Sequence, residues 1–219
     1  LRLRPDPGAT AVSIDVDAAI SYYESLARTW ERAAFIRARP VAGDLQIANR
    51  FLTQIQPFIW RRSLDYTVMD DMKTMLRRPP QSHDWLGYNL KIGKNGIRHI
   101  EFFTHVLQLV AGGREPGLRQ HQTAPALHAL ASFDWITTDQ ADALISAYLQ
   151  LRRAEHRLQM LADSQTHSLP RNPSDLAHFA NFMGHAEPTA FCQVLAMLQQ
   201  RIAENAEHKI LHSPAEEMP

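Results

Sequence analysis

The spacing of proline and glycine constrains this chain more than any other feature of its sequence. All thirteen prolines lie outside three long windows, 8–39, 81–115 and 126–169, and a fourth proline-free window covers 189–213. No glycine interrupts residues 118–183. Because helix interiors tolerate neither residue well, these windows predict long helices.

Local signals predict where several helices begin and end. A capping box at Thr137–Gln140 opens a helix that reaches about Ala162. A proline at the first helical position opens two more helices, after Asn172 and Glu187. A Gly-Gly pair closes the helix that begins near Ile97.

Only the start of the chain alternates in the manner of a β-strand. Leu1–Arg4 and Val12–Ile14 do so, before Asp15 begins a helical stretch. Two short strands cannot form a stable sheet alone. We therefore predict a mostly α protein, a helical bundle preceded by the edge of a sheet whose other strands lie upstream.

Composition excludes several classes of protein. The chain has 23 Lys and Arg against 23 Asp and Glu, and 45% of its residues are hydrophobic. That balance argues against a disordered chain and against a general nucleic-acid binder, which needs a basic excess. No apolar run is long enough to span a membrane. The one cysteine, Cys192, excludes an internal disulfide and a multi-cysteine zinc site, and its apolar surroundings predict a buried thiol.

The beginning of the chain has neither an initiator Met nor the pattern of a signal peptide. We therefore expect a protein of the cytoplasm whose sequence starts inside a longer chain.

A cationic turn is the most informative local feature. Lys91, Lys94 and Arg98 surround two glycines and an asparagine that lead into a helix. Backbone N–H groups, the helix dipole and these cations together favour a phosphate or carboxylate. The alternative is an ordinary loop with solvated lysines.

Two predicted helices carry a polar stripe along an otherwise apolar sequence. Spacings of three and four residues align Arg98, Glu101, His105 and Gln108 on one helix, and Arg152, Glu155 or His156, Gln159 and Asp163 on the other. Buried polar groups must be paired. The stripes therefore face each other or a shared cleft, either as a structural network or as a functional site.

The remaining candidates are weaker. His208 and His212 have helical spacing, but no nearby acid completes a metal site, so we expect two exposed residues and no metal. A second basic segment contains Arg28, Arg32 and Arg39, which together with Arg2 and Arg4 could hold an anion or form a solvated face.

Several long motifs follow one another from Leu1 to about Pro170. They are Leu1–Pro5, Tyr22–Glu24, Trp30–Ala33, Arg37–Arg39, Gly43–Asp44, Pro57–Arg62, Lys91–Gly93, Gly96–Phe102, Gln108–Pro116, Leu151–Met160 and Gln165–Pro170. In this order they resemble the bacterial glutamine-synthetase adenylyltransferase/adenylyl-removing enzymes. The Gly-Gly-Arg-Glu-Pro and Gln-Thr-His-Ser-Leu-Pro segments are similar to the N-terminal, deadenylylating half.

The resemblance implies an architecture for the chain. Each half of such an enzyme is a small mixed sheet, the nucleotidyltransferase domain, followed by a helical domain. Residues 1–44 would be the C-terminal remnant of the nucleotidyltransferase domain, which includes the edge of its sheet. Residues 45–212 would form the helical bundle, and 213–219 a frayed tail.

The resemblance also implies an activity. The N-terminal half removes AMP from a tyrosine of glutamine synthetase by phosphorolysis, giving ADP, and the other half adds AMP. The implied partners are glutamine synthetase and the PII signal protein, with no nucleic acid and no membrane. The complete enzyme would use Mg²⁺ with ATP, ADP or phosphate, and we expect none of these tightly bound to this chain.

The resemblance assigns the metal-binding carboxylates to a Gly-Ser…Asp-x-Asp motif and to an acid directly before Leu1. None of these lies in the chain, so we expect no catalytic residue in it and no activity from it alone. The anion-binding candidates are Arg2, Arg4, Lys91, Lys94 and Arg98. The candidates for a network that couples the helices are Glu101, His105, Arg152, Glu155, His156 and Gln159.

The chain departs from the family pattern at Asn95, where Gly is usual, and at His99, where Glu is usual. Asparagine tolerates the left-handed backbone that Gly would supply. The alternative function is a helical module that binds a regulatory partner without catalysis. A helical domain of a related uridylyltransferase fits the long motifs less well.

Overall fold

The computed structural model describes residues 13–27, 29–61 and 85–207, apart from the side chains of residues 29, 30 and 207. Helices dominate these ranges, which confirms the predicted mostly α class. The described part of the chain contains no β-strand, only an isolated antiparallel bridge between Asn89 and Ser168.

The described helices follow in chain order. They are α1 (Val16–Ser25), α2 (Thr29–Phe35), α3 (Leu45–Gln54), α4 (Gln56–Ile59), α5 (Ile97–Ala111), α6 (Thr123–Ser132), α7 (Thr138–Ala162), α8 (Pro173–Phe182) and α9 (Pro188–Ile202). A 3₁₀ turn at Pro116–Leu118 lies between α5 and α6, and a π turn at Ala203–Glu207 continues α9.

Three predicted helix starts are confirmed by capping contacts, whereas the side chain of Glu187 makes no capping hydrogen bond at the start of α9. Thr137 Oγ1 accepts from the Gln140 N–H at 3.1 Å, and Gln140 Oε1 accepts from the Thr137 N–H at 3.0 Å, so both halves of the capping box form. The side chains of Asp15 and Asn172 cap α1 and α8 in the same way. Local sequence is therefore enough to begin these helices.

The predicted strands are not found where the structure describes the chain. Ser13 and Ile14 precede α1 without strand structure. The rest of that prediction, Leu1–Arg4 and Val12, lies outside the described residues, as do Arg28, His208 and His212. The strand edge of a nucleotidyltransferase domain stays a prediction.

Contacts divide the chain into two compact units. The described part of the first unit comprises 13–27, 29–61 and 105–126, and that of the second comprises 85–104 and 127–207. A unit defined by contacts need not coincide with an evolutionary domain. The predicted domain boundaries at residues 44 and 212 therefore stay predictions.

The first unit is built around an aromatic cluster. The ring of Tyr23 lies 4.7 Å from Phe35, 5.6 Å from Phe58 and 6.1 Å from Phe51, measured between centroids. Edge-on and tilted aromatic pairs of this kind add to the free energy gained by burying apolar surface. The cluster holds α1 to α4 together.

In the second unit α9 packs against both α7 and α8. Phe179 of α8 and Phe191 of α9 meet edge to face at 5.5 Å, and both are almost fully buried. On α7, Leu144, Leu151 and Leu158 form the buried face. This bundle is the support for the polar residues of α7.

The structure also bears on the predicted burial of Cys192 and on the search for a membrane-spanning helix. Cys192 is half-buried rather than buried, because it lies at the edge of the apolar face of α9 that contains Phe191 and Leu195. No helix among the described residues is both long and apolar enough to cross a membrane.

The capping box predicts a measurable stability difference. Thr137→Ala removes the acceptor of the Gln140 N–H, and we expect the free energy of unfolding to fall by about 1 kcal/mol in urea denaturation. Thr138→Ala, one residue further into the helix, is the matched control and should change it by less than about 0.5 kcal/mol. Equal losses in the two variants would contradict a capping role.

Candidate functional site

A tight loop at residues 88–96 organises the cationic turn. The carboxamide oxygen of Asn89 accepts from the N–H groups of Lys91 and Ile92 at 3.0 and 2.9 Å. The Tyr88 hydroxyl donates to the Lys94 carbonyl at 2.6 Å. Burial raises the pKa of Tyr88 to about 12, so this proton stays in place as a donor at neutral pH.

Two positions of this loop require their residue for steric and conformational reasons. A Cβ on Gly93 would lie 2.4 Å from the Asn89 carbonyl oxygen and 2.6 Å from the ring of Tyr88. Asn95 has φ of 52°, the left-handed backbone that asparagine tolerates, and its buried amide donates to the Gln199 carbonyl at 3.1 Å. Glycine could adopt this backbone, but it could not make that hydrogen bond.

The segment at residues 165–170 pairs with the start of this loop. The Leu90 N–H donates to the His167 carbonyl and the Leu169 N–H to the Tyr88 carbonyl, each at 2.8 Å. The Asn89 amide also donates to Ser168 Oγ at 3.2 Å. One of the family motifs, Gln165–Pro170, is therefore in direct contact with the residues that immediately precede the Lys91–Gly93 motif.

The polar stripe of α7 meets the same segment. The carboxylate of Glu155 is 1% exposed and lies 2.5 Å from Arg152 Nη1 and 2.7 Å from His167 Nδ1. Gln159 Nε2 donates to the Thr166 carbonyl at 3.2 Å. The spacing prediction found the α7 residues, but it missed His167, which follows the helix.

The other two residues of this stripe, His156 and Asp163, lie at the protein surface. His156 is exposed, with Nε2 at 3.2 Å from Arg152 Nη2. Asp163 is exposed and ends the helix with a left-handed φ of 43°, so its contribution is to the helix terminus.

The stripe of α5 makes contacts with several different groups. Glu101 Oε1 accepts from the Tyr148 hydroxyl of α7 at 3.4 Å. Gln108 is buried, and its amide donates to the carbonyls of Leu118 and Gln120 at 2.7 and 2.9 Å. The Glu101 contact therefore joins α5 to α7 through Tyr148, a residue outside the predicted stripe of α7.

His105 of the same stripe pairs with an arginine. Arg37 Nε donates to His105 Nε2 at 3.2 Å, and the guanidinium also donates to the hydroxyl of Thr123. Burial, followed by the charge of Arg37, lowers the pKa of His105 to about 3. His105 is therefore a neutral acceptor at pH 7, with its proton on Nδ1.

The three cations of the turn differ in their surroundings. Lys94 and Arg98 are exposed and Lys91 is half-buried. The guanidinium of Arg98 lies 4.7 Å from the centroid of the Phe102 ring. Arg2 and Arg4 lie outside the described residues. Whether any of the five binds an anion stays a prediction.

The backbone of the turn offers fewer free N–H groups to an anion than its sequence indicated. Besides the two N–H groups bound by Asn89, those of Gly93, Gly96 and Ile97 donate to carbonyls within residues 89–93. An anion at this turn would therefore be held mainly by side chains. Among the described residues no group of three or more His, Cys, Asp or Glu could hold a metal ion.

Two protein-family models match different parts of this chain. A family model described as GlnD PII-uridylyltransferase matches residues 69–210, and one described as Glutamate-ammonia ligase adenylyltransferase matches residues 1–54. The first match covers more than half of the chain. The chain belongs to that GlnD PII-uridylyltransferase family. The helical part is thus matched by a model with the name of the uridylyltransferase, which the motifs had fitted less well.

The individual relatives are named as adenylyltransferases, not as uridylyltransferases. The chain is 49% identical over 207 residues to the bifunctional glutamine synthetase adenylyltransferase/adenylyl-removing enzyme of Xanthobacter autotrophicus, a match that covers 92% of the chain and 21% of that protein. It is 48% identical over 198 residues to the enzyme of the same name from Mesorhizobium japonicum, covering 88% of the chain and 20% of that protein.

The enzyme of this name from Bradyrhizobium diazoefficiens is 49% identical over 200 residues, covering 89% of the chain and 20% of that protein. The predicted resemblance is therefore confirmed. The chain spans about a fifth of the length of these relatives.

The buried carboxylate of α7 yields a stability prediction. Glu155→Ala removes the partner of Arg152 and His167, and we expect the free energy of unfolding to fall by about 2 kcal/mol in urea. Asp142→Ala replaces an exposed acid on the same helix and should cost less than about 0.5 kcal/mol. A loss at Glu155 no larger than at Asp142 would contradict a structural role for the carboxylate.

The neutral state of His105 yields a pH prediction. Its pKa is about 3 in the folded protein and about 6.5 in an unfolded chain, so between these values the unfolded chain binds the extra proton. Stability is therefore lost as the pH falls below about 6.5, by about 1.4 kcal/mol per pH unit from this group.

The measurement is the free energy of unfolding at pH 7 and pH 5 for the parent chain and His105→Gln. We expect the parent to lose about 2 kcal/mol more than the variant over this interval. His128→Gln, at an exposed position of α6, is the control and should behave as the parent. The same pH dependence in the parent and His105→Gln would rule out this origin.

Proposed function

We propose that this chain is the helical part of a bifunctional nucleotidyltransferase that regulates glutamine synthetase, within the half that removes AMP. The observation that carries the proposal is the convergence of family motifs on one contact network. Lys91–Gly93 is far in sequence from Leu151–Met160 and Gln165–Pro170, yet Asn89 binds both the Lys91 N–H and the Ser168 hydroxyl. The Glu155 carboxylate in turn joins Leu151–Met160 to Gln165–Pro170 through His167. The activity is that for which the relatives are named.

The proposed reaction is phosphorolysis. An oxygen of inorganic phosphate attacks the phosphorus of the AMP group carried by a tyrosine of glutamine synthetase. The phosphorus–tyrosine bond breaks, the tyrosine leaves with a proton, and the products are ADP and free tyrosine on the protein. Mg²⁺ bound by acids outside this chain would neutralise charge on the phosphates, and we assign no step to a metal held by the described residues.

Within this reaction the cations of the turn would contact phosphate. Lys91, Lys94 and Arg98 are the candidates at the turn, and Arg2 and Arg4 would lie beside the metal-binding acids. Phosphate carries up to two negative charges, and lysine and arginine bind it through charge-assisted hydrogen bonds. The loop built on Asn89 would position Lys91 by fixing its backbone.

The contact network would serve as mechanical support. Glu155 joins α7 to the 165–170 segment, and Glu101 joins α5 to Tyr148 of α7. Through these contacts a PII protein bound to the helical domain would alter the position of the turn. The proposed partners are therefore glutamine synthetase and PII, in the cytoplasm.

The test measures release of ADP from adenylylated glutamine synthetase with phosphate, Mg²⁺ and uridylylated PII. We expect no release from the 219-residue chain alone and release from a protein extended upstream through the proposed metal-binding acids. No release from either, with both folded by circular dichroism, would favour a helical module that binds a partner without catalysis.

In the extended protein the role of Lys91 can be tested directly. Lys91→Gln removes one cation, and we expect the apparent KM for phosphate to rise about tenfold, the equivalent of one charge-assisted hydrogen bond. Arg153→Gln, at an exposed position of α7, is the control and should leave the KM unchanged. An unchanged phosphate KM in Lys91→Gln would reject its assignment.

A further inference from the structure

A cavity of about 270 Å³ lies within the first unit. Residues of α2, α3 and α4 line it together with the segment that follows α5. The lining residues are Phe35, Ile36, Ala38, Arg39, Pro40, Asn49, Leu52, Thr53, Gln56, Ile59, Trp60, Arg119 and His121. Its volume is just below the roughly 300–1,000 Å³ typical of small-molecule sites.

The charges that line this cavity all have one sign. Arg39, Arg119 and, when protonated, His121 are cationic, and no Asp or Glu is among the lining residues. Arg39 is exposed and makes no hydrogen bond or ion pair in the described part of the chain. A positive cavity without a counter-charge attracts anions.

Arg119 is held in place by neutral groups. Its Nε donates to the Gly112 carbonyl at 2.7 Å and its Nη1 to the Gln56 carboxamide oxygen at 3.3 Å. The guanidinium lies 5.6 Å from the centroid of the Trp60 ring. These contacts fix its orientation and leave Nη2, with its two N–H donors, unused for a ligand.

His121 offers one ring nitrogen in the same way. Its Nδ1 lies 2.8 Å from the Ile36 carbonyl oxygen, which can only accept, so Nδ1 carries a proton. Nε2 is then the free ring nitrogen, and a protonated imidazole would donate from it to an anion.

The rest of the lining is apolar. Ile36, Ile59 and Trp60 are buried, and Phe35 and Leu52 are half-buried. A ligand with an anionic head and a flat apolar body would match both parts of the lining. We propose that this cavity binds a small organic anion, whose carboxylate or phosphate group is held by Arg39, Arg119 and His121 and whose apolar part rests on Trp60 and its neighbours.

The test is calorimetric titration of the chain with benzoate, with phenyl phosphate and with phenol as the neutral counterpart. We expect saturable binding of at least one anion with a dissociation constant on the order of 1 mM, and phenol at least about tenfold weaker. Binding of benzoate alone indicates a carboxylate ligand, and binding of phenyl phosphate alone a phosphate ligand. Phenol binding as tightly as both anions, or no saturable binding of either anion, would overturn the proposal.

Variants link the binding to the cavity. Arg39→Gln removes a charge that makes no described hydrogen bond, so it should fold normally and bind about tenfold more weakly. Asn49→Asp places a carboxylate in the lining and should also weaken binding. Arg50→Gln removes a neighbouring arginine that pairs with Asp17 at 3.2 Å and does not line the cavity. A loss in Arg50→Gln equal to that in Arg39→Gln would overturn the proposal, whereas parent affinity in Arg50→Gln supports it.

Discussion

The buried carboxylate of Glu155 is the group on which the second unit depends most. An isolated carboxylate at 1% exposure would cost several kcal/mol, so it requires partners. Arg152 comes from the same helix, but His167 comes from the segment beyond it. Satisfying the carboxylate therefore fixes where residues 165–170 run, and their backbone pairing with residues 87–90 then positions the cationic turn. One desolvated charge thus helps to order two loops, together with the burial of Leu90 and Leu169.

The polar stripe of α5 shows why a shared helix face does not imply a shared site. Glu101 accepts from the Tyr148 hydroxyl, and His105 accepts from Arg37. Gln108 donates to two backbone carbonyls of the segment that follows the helix. Each of these three side chains therefore has a different hydrogen-bond partner. The feature they have in common is that α5 is buried on nearly every side, so any polar residue on it must find a partner wherever one is within reach.

The sequence predicted the features whose causes are local. The capping box of α7 is complete within four residues, and Asn95 has the left-handed backbone that asparagine tolerates where the family pattern has glycine. The partners of the site could not be predicted, because Asn89 and Ser168 are 79 residues apart. Spacing identified Glu155 as polar and helical, but His167 lies beyond the helix, where a helical period no longer applies. The prediction therefore found one partner of the carboxylate and missed the other.

The two sets of cations in this chain differ in how much freedom they retain, and this difference bears on selectivity. In the turn at residues 88–96 most backbone N–H groups already have partners in the protein, so an anion would be held by the lysine side chains, which are flexible point charges. Arg119 is instead anchored by a carbonyl, a carboxamide and an indole ring. A fixed guanidinium loses less conformational entropy on binding and imposes a direction on its ligand. The turn is thus suited to a phosphate that is positioned by other groups, whereas the cavity is suited to recognising the shape of its ligand.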